Sequence, residues 1–154
     1  IAPFDLEELL LELIDEWGPR LEQVDIQLTA DLDPVDTMTG DARALRDAVA
    51  CLLDNALKYR REDVDAVVEL VTRQEGRHVE IRVTDNGMGV PAKDRARIFE
   101  RFVRIEGDNR GRAGGHGLGL AQVAEIVAAH QGTVTCEDGL DGGSSFVIRL
   151  PLTQ

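Results

Sequence analysis

The 154-residue chain has the length of one domain, and 43% hydrophobic residues are enough for a packed core. Its net charge of −12 argues against non-specific binding to nucleic acid or anionic membranes, although a local glycine-rich loop could still hold a phosphate. The two cysteines show neither pairing nor metal spacing, which favours a reducing compartment. No signal peptide or long apolar run is visible, and a chain that begins with Ile1 is expected to be a piece of a longer protein.

The N-terminal segment predicts a helix followed by short strands. Asp5 can cap the helix, and Glu8, three residues later, can complete a capping box. Apolar residues follow at helical spacing until Pro19, after a glycine, which is expected to end or kink the helix. Alternation then predicts a strand over residues 24–28 and a short second strand over residues 34–38.

The strongest helical pattern covers residues 42–59. Beside its apolar stripe, Cys51, Asn55 and Tyr59 lie four residues apart on one face, with Lys58 next to them. An asparagine among aliphatic residues is a poor choice on helix propensity. Asn55 is therefore either simply exposed to solvent, or present because its side-chain amide has a function.

Residues 66–72 and 78–84 are β-rich runs that predict a hairpin. Asp85 continues the apolar parity of the second strand, so its carboxylate is expected to point into the apolar side, where it needs donors. Gly87 and Gly89 follow, and glycines allow a backbone or ligand to approach closely. Taken alone, this stretch also fits an ordinary polar turn, because Asn-Gly is common turn chemistry.

The last third of the chain predicts a helix over residues 91–102 and an aperiodic segment over residues 103–115. Such a long loop is typical of a lid, a binding loop or disorder. The glycine-rich turn 116–120 leads into a helix over residues 121–130, an arrangement that offers backbone N–H groups to an anion. The alternative is a flexible connector before an ordinary core helix. A hairpin around residues 139–143 closes the chain.

Five short motifs carry a resemblance to a known family. They are, in chain order, Leu52-Leu53-Asp54-Asn55-Ala56-Leu57-Lys58-Tyr59, Asp85-Asn86-Gly87-Met88-Gly89-Val90-Pro91, Ile98-Phe99-Glu100-Arg101-Phe102, Gly115-His116-Gly117-Leu118-Gly119-Leu120 and Gly142-Gly143-Ser144-Ser145-Phe146. They resemble the N box, first glycine box, F box, second glycine box and terminal glycine motif of the catalytic, ATP-binding domain of bacterial sensor histidine kinases. Each motif alone has modest specificity, whereas all five in this order are highly specific.

The resemblance implies the Bergerat-type ATPase fold, which that family shares with DNA gyrase B, the mismatch-repair ATPases and the large heat-shock chaperones. The expected architecture is an α+β two-layer sandwich, with a mixed, mostly antiparallel sheet. Three main helices would cover one face, and a flexible ATP lid would close over the nucleotide. Residues 1–154 would form a single domain.

The resemblance also implies how Mg-ATP would be held. Asn55 would bind Mg²⁺ through its amide oxygen, a hard ligand for a hard ion, and Lys58 would neutralise phosphate. Arg101, with Arg104 as the alternative, would reach the γ-phosphate, where charge develops during transfer. The second glycine box would surround the phosphates through Gly115, His116, Gly117, Leu118, Gly119 and Leu120.

At the other end of the nucleotide, Asp85 would accept the adenine exocyclic amine, which would supply the donor that its burial demands. Tyr59 would pack near the ribose and base. Ser144 would bond Asp85 or, through water, the base. The remaining residues expected near the base are Gly87, Met88 and Gly89.

The chain departs from the family at Cys51, where an asparagine is usual and a glutamate occurs in the ATP-hydrolysing relatives. A cysteine offers neither a carboxylate base nor a good Mg²⁺ ligand. This argues against a hydrolase and leaves the strength of any kinase activity open. Asp47 or Asp54 could compensate, although Asp54 is expected to face a different direction from Cys51. Cys51 also fits a plain core position.

None of the three histidines, His78, His116 and His130, lies in a phosphoacceptor H box. The resemblance therefore implies a protein-histidine kinase domain that binds Mg-ATP and donates the γ-phosphoryl group to a histidine on a separate dimerisation domain of the same parent protein. An aspartate on a response regulator would receive it next. The isolated chain is expected to be a cytoplasmic monomer without a nucleic-acid partner. A membrane anchor of the parent protein could lie in segments that are not part of this sequence.

Three other functions remain open at this level. A degenerate, non-catalytic nucleotide-binding module is favoured by Cys51. An anti-sigma-factor serine kinase has the same fold but lacks the F-box element that stands at residues 98–102. A gyrase-type hydrolase is disfavoured by Cys51, and a plain interaction domain without nucleotide would leave an inward Asp85 unexplained.

Overall fold

The computed structural model describes residues 1–100 and 118–152. These ranges contain β1 (Ala2–Phe4), α1 (Leu6–Glu22), β2 (Gln27–Leu32), β3 (Met38–Gly40), α2 (Ala42–Lys58), β4 (Val67–Glu75), β5 (His78–Asp85), α3 (Leu118–Ala129), β6 (Thr133–Asp138) and β7 (Ser144–Pro151). Short 3-10 turns lie at Ala92–Asp94, Arg97–Phe99 and Leu140–Gly142. The predicted lid falls outside the described residues.

Within the described ranges, five strands form one sheet in the order β2-β4-β5-β7-β6. The β2–β4 pair is parallel, and the other three pairs are antiparallel. Along the central strand β5, Val79, Ile81 and Val83 are fully buried, while the residues between them are partly exposed. The helices α1, α2 and α3 contact the sheet, and the apolar side of the strands meets them. The α+β architecture with a mixed, mostly antiparallel sheet is confirmed.

Helix α1 starts as predicted but ends later. The carboxylate of Asp5 accepts a hydrogen bond from the backbone N–H of Glu8, at 3.3 Å. The helix continues through Pro19 to Glu22, so of the two outcomes expected at the proline, an end or a kink, the end does not occur. Pro19 has no N–H to donate, but the next turn buries Leu21 completely, and that burial compensates for one lost hydrogen bond.

The two strands predicted between the first helices are displaced along the chain. Val24 and Asp25 lie in a turn, in which Asp25 has a φ of 61°, and β2 begins only at Gln27. Strand β3 starts at Met38 rather than residue 34, and it pairs with β1, which the sequence did not predict. Such short strands are defined by their partners, and a pattern of a few residues does not reveal a partner far along the chain.

Residues 91–100 do not form the predicted helix. They contain two 3-10 turns, and Arg95 fastens the segment by donating to the Val90 carbonyl and to the Asp138 carboxylate. Phe99 packs edge-on against Phe146 of β7, with ring centroids 6.3 Å apart. These tertiary contacts outweigh the local helical pattern.

His130 joins the end of α3 to the start of α2. Its Nε2 accepts a hydrogen bond from the backbone N–H of Asp41 at 2.9 Å, and its Nδ1 lies 2.8 Å from the Ile126 carbonyl oxygen. A Cβ on Gly40 would lie 2.7 Å from the imidazole ring, so the glycine is needed for this packing. The ring therefore fixes the two helices that flank the candidate site.

None of the helices in the described ranges combines the length and the apolar character that crossing a bilayer requires.

Candidate functional site

Asp85 ends β5 with its side chain turned inward, as the strand parity predicts, and it is 7% exposed. One carboxylate oxygen, Oδ1, accepts hydrogen bonds from the backbone N–H groups of Gly87, at 2.9 Å, and Ser144, at 3.1 Å. The second donor comes from β7, 59 residues further along the chain. Two backbone donors therefore offset the burial of this carboxylate and hold its orientation.

This geometry corrects one detail of the sequence interpretation. The donors that the buried Asp85 requires include the chain's own backbone, rather than a ligand amine alone. Of the two contacts expected for Ser144, the one to Asp85 is present, and it is made by the backbone N–H. A hydrogen bond between segments so distant in sequence leaves no local pattern by which it could be predicted.

Gly87 packs directly against the end of α2. A Cβ at this position would lie 2.6 Å from the Tyr59 carbonyl oxygen, which also accepts a hydrogen bond from the N–H of Met88 at 3.0 Å. Tyr59 is the C-cap residue of α2 and is buried, whereas the Met88 side chain is 47% exposed. The first glycine box is thus attached to the helix that carries Asn55 and Lys58.

The first and last glycine motifs interlock through their backbones. Gly89 has a φ of +74°, and a Cβ there would collide with the carbonyl oxygen of Gly142. A Cβ on Gly143 would collide with the carbonyl oxygen of Asp85. The close approach predicted for these glycines is therefore made by the chain's own backbone, and it places the N–H of Ser144 at Asp85.

Asn86 is a site residue whose structural role the sequence did not indicate. Its side chain is buried, and Oδ1 accepts from the N–H of Val67 at 3.0 Å while Nδ2 donates to the Asp65 carbonyl at 2.9 Å. It ties the end of β5 to the start of β4. The only sequence signal was its position beside a buried strand end, where Asn-Gly is commonly explained by turn chemistry.

The polar face of α2 carries Cys51, Asp54, Asn55 and Lys58. Lys58 Nζ lies 2.9 Å from Asp54 Oδ2, and each side chain is 33% exposed. Asn55 is half-buried, and its amide makes no hydrogen bond to the described residues, in contrast to that of Asn86. Because the Asn55 amide does not hold another segment of the described chain, its oxygen is available to a hard cation.

Cys51 lies against the first turn of α3. A Cβ on Gly119 would be 3.1 Å from its Sγ atom. Burial raises the pKa of the Cys51 thiol to about 11, the charge of Asp54 adds to this, and Lys58 partly opposes it. The Asp54 carboxylate itself pairs with Lys58, and Asp47 is exposed.

A thiol with this pKa stays protonated near neutral pH, so it is neither a general base nor a metal ligand there. Because the pKa rises from 9.0 to about 11 on folding, this group contributes stability below pH 9 that is lost as the pH rises through 11. We expect Cys51 at pH 8 to react with iodoacetamide about 100-fold more slowly in the folded chain than in guanidinium. Peptide mapping by mass spectrometry distinguishes it from Cys136, and equal rates in both states would contradict the assignment.

The remaining predicted residues divide into two groups. Leu120 belongs to the buried core cluster, and its backbone lies in the first turn of α3. Leu118 is described only as the first residue of that helix. The residues that lie outside the described part of the chain are Arg101, Arg104, Gly115, His116 and Gly117.

These features suit a nucleotide and a magnesium ion by their chemistry. The site offers one clamped, buried carboxylate, one amide oxygen, one lysine and glycine backbones that leave no side chain in the way. Among the described residues, no group of three or more His, Cys, Asp or Glu side chains could hold a metal ion. This donor set fits Mg²⁺, which keeps waters and phosphate oxygens, better than a metal that needs a full protein ligand set.

Comparison with known proteins agrees with this geometry. Residues 40–154 match the family model described as histidine kinase-, DNA gyrase B-, and HSP90-like ATPase. The chain is 31% identical over 151 residues to the sensor protein RprX of Bacteroides fragilis, covering 97% of this chain and 29% of RprX. It is 33% identical over 147 residues to the sensor-like histidine kinase SenX3 of Mycobacterium tuberculosis, covering 96% of this chain and 35% of SenX3.

Solved structures include the mycobacterial sensor histidine kinase MprB, with a TM-score of 0.80 at 31% identity and 97% coverage of both chains. The chain spans about a third of the length of the curated relatives it matches.

Proposed function

Because this chain belongs to the family of histidine kinase-, DNA gyrase B- and HSP90-like ATPases, we propose that it binds Mg-ATP and donates the γ-phosphoryl group to a histidine. Within that family it is a catalytic domain of the sensor histidine kinase type. The acceptor histidine would lie on a separate dimerisation domain of the same parent protein. From there, the phosphoryl group would pass to an aspartate on a response regulator.

The observation that carries this proposal is the clamped Asp85 carboxylate. Gly87 and Ser144 hold it by backbone hydrogen bonds beside the end of α2, so it is oriented before any ligand arrives. An oriented acceptor at a buried position suits the exocyclic amine of adenine and would reject a base that lacks a donor there. The N–H of Met88 donates to the carbonyl of the buried Tyr59, which lies against Gly87, and we assign both residues to the surroundings of the base and ribose.

The phosphate end of the site would lie along α2 and the start of α3. We propose that Asn55 offers its amide oxygen to Mg²⁺, that Lys58 neutralises phosphate charge, and that backbone N–H groups of residues 115–120 bind phosphate oxygens. Arg101 would stabilise the charge that develops on the γ-phosphoryl group. ATP supplies that group: its bond to the β,γ-bridging oxygen breaks, a nitrogen–phosphorus bond forms at the acceptor histidine, and ADP leaves.

One alternative function has a specific observation in its favour. Cys51 stands where the family usually places an asparagine, and its protonated thiol adds no ligand for Mg²⁺. A degenerate module that binds nucleotide but transfers no phosphoryl group is therefore the second candidate. A hydrolase would need a base to activate water, which this thiol cannot provide. An anti-sigma-factor serine kinase is disfavoured by the F-box residues Ile98 and Phe99, which pack into the core.

The cellular setting follows from the same proposal. A domain that consumes ATP would work in the cytoplasm, as a single domain and, in isolation, as a monomer. The net charge of −12 is unsuited to a nucleic-acid partner. The partners would be ATP and ADP, the phosphoacceptor domain and the response regulator.

Calorimetric titration with ADP and a slowly hydrolysed ATP analogue, with and without Mg²⁺, tests the binding step. We expect Asn55→Ala to remove most of the Mg²⁺-dependent gain in affinity, about tenfold, since the amide oxygen is the protein's ligand to the ion. Gln23→Ala, which shortens an exposed amide away from the site, is the matched control. A wild-type chain that binds no adenine nucleotide would contradict the proposal.

The transfer step is tested by adding a helical phosphoacceptor domain in trans. Acid-labile phosphate on its histidine supports the kinase, whereas nucleotide binding without transfer supports the degenerate module.

A further inference from the structure

Lys58, which the proposed function assigns to phosphate, forms an ion pair with Asp54. Lys58 Nζ lies 2.9 Å from Asp54 Oδ2, and no other ionic or hydrogen-bonding partner of this lysine occurs among the described residues. Asn55, the proposed Mg²⁺ ligand, follows Asp54 directly in the chain. The Asp54 carboxylate is therefore a neighbour both of the lysine assigned to phosphate and of the asparagine assigned to Mg²⁺.

Helix stability does not explain a carboxylate at this position. Asp54 lies in the last turns of α2, where the helix macrodipole disfavours negative charge, and aspartate is a weak helix former. An exposed i,i+4 ion pair changes a folding equilibrium constant by only about twofold. The pair is thus too weak to be needed for the fold, and weak enough to exchange partners.

The two arginine residues that follow α2 form contacts with other groups. Arg60 donates to the Leu57 carbonyl at 2.7 Å, which caps the end of the helix. Arg61 donates to the Asp63 carboxylate and to the Asp141 carbonyl. Lys58, by contrast, is held by a flexible side chain of its own helix, so it can turn toward a ligand without breaking a contact between distant segments.

We propose that Asp54 is a positioning residue that makes the contact between Lys58 and phosphate conditional on a divalent cation. If Lys58 left Asp54 without a cation nearby, the bare carboxylate would face the ligand's phosphates in a chain of net charge −12. A cation held at Asn55 compensates the Asp54 charge and frees the lysine. This inference rests on the proposed function and deepens it, since it concerns how Asp54, Lys58 and a divalent cation affect one another at the same site.

The experiment measures nucleotide affinity with and without Mg²⁺ in the whole chain. Asp54→Asn should bind the metal-free ATP analogue about threefold more tightly than wild type, while affinity with saturating Mg²⁺ changes little, so the ratio of the two affinities falls. Asp47→Asn removes the same charge from an exposed site on the same helix, about 10 Å away, and should leave the ratio unchanged. A purely structural role of Asp54 would move thermal stability but not this ratio.

The double variant Asp54→Asn/Lys58→Gln identifies the route of the effect. Compared with Lys58→Gln alone, it should show no gain in metal-free affinity, because no lysine remains to be released. A gain that persists without Lys58, or a ratio that Asp54→Asn leaves unaltered, would overturn the inference while leaving nucleotide binding intact. A wild-type chain that binds no nucleotide would overturn the proposed function and this inference together.

Discussion

Asp85→Asn is expected to weaken adenine-nucleotide binding about 10- to 100-fold, because a hydrogen bond to a charged acceptor contributes about 1.5–3 kcal/mol. The substitution keeps one carbonyl oxygen, which can still accept from the N–H groups of Gly87 and Ser144. It removes the charge and puts an amide N–H₂ group where the adenine amine would donate. The fold should therefore survive while recognition of the base fails.

Calorimetry with ADP measures this loss, and thermal denaturation verifies that the variant is folded. Asp141→Asn is the matched control, since it removes a carboxylate from the adjacent exposed turn, and asparagine tolerates the φ of 47° found there. Unchanged affinity in Asp85→Asn would refute the assignment of this carboxylate to the base. Equal losses in both variants would indicate a general charge effect instead.

Gly89→Ala is expected to destabilise the fold by about 2–5 kcal/mol, the largest stability effect predicted for this chain. A φ of +74° costs an alanine about 1–2 kcal/mol, and its Cβ would collide with the Gly142 carbonyl oxygen, which overpacks the site by about 1–3 kcal/mol. Relief requires the last glycine turn to move, and that turn positions the N–H of Ser144 at Asp85. Nucleotide affinity should fall together with stability.

Gly76→Ala separates the two causes. Gly76 also has a positive φ, of +59°, but a Cβ there would meet nothing within 4 Å. Its substitution should cost only about 1–2 kcal/mol from the backbone conformation and leave nucleotide affinity unaltered. Thermal melts of both variants should differ by roughly 5–10 °C. If Gly89→Ala and Gly76→Ala have the same melting temperature, the interlock of the two glycine motifs does not contribute to stability.

The parts of the fold that the sequence predicted correctly are those set by local periodicity. The helix α2, the β4–β5 hairpin and the inward Asp85 all follow from alternating or helical spacing within one element. The structure differs from the sequence patterns where a distant segment decides. Because Leu21 finds a buried site, α1 continues past Pro19, where an end or a kink was expected. Residues 91–100 follow the contacts of Phe99 with β7 rather than a helical pattern.

The site divides in the same way. The sequence by itself determined the five motifs, their order, the face of α2 that carries Asn55 and Lys58, and the need of Asp85 for donors. Only the tertiary structure decided that Ser144 supplies one of those donors from 59 residues away and that Gly89 lies against the Gly142 carbonyl. Local spacing fixes which side chains share a face, because helices and strands have constant periods. Partners across elements depend on the path of the whole backbone, which no local period encodes.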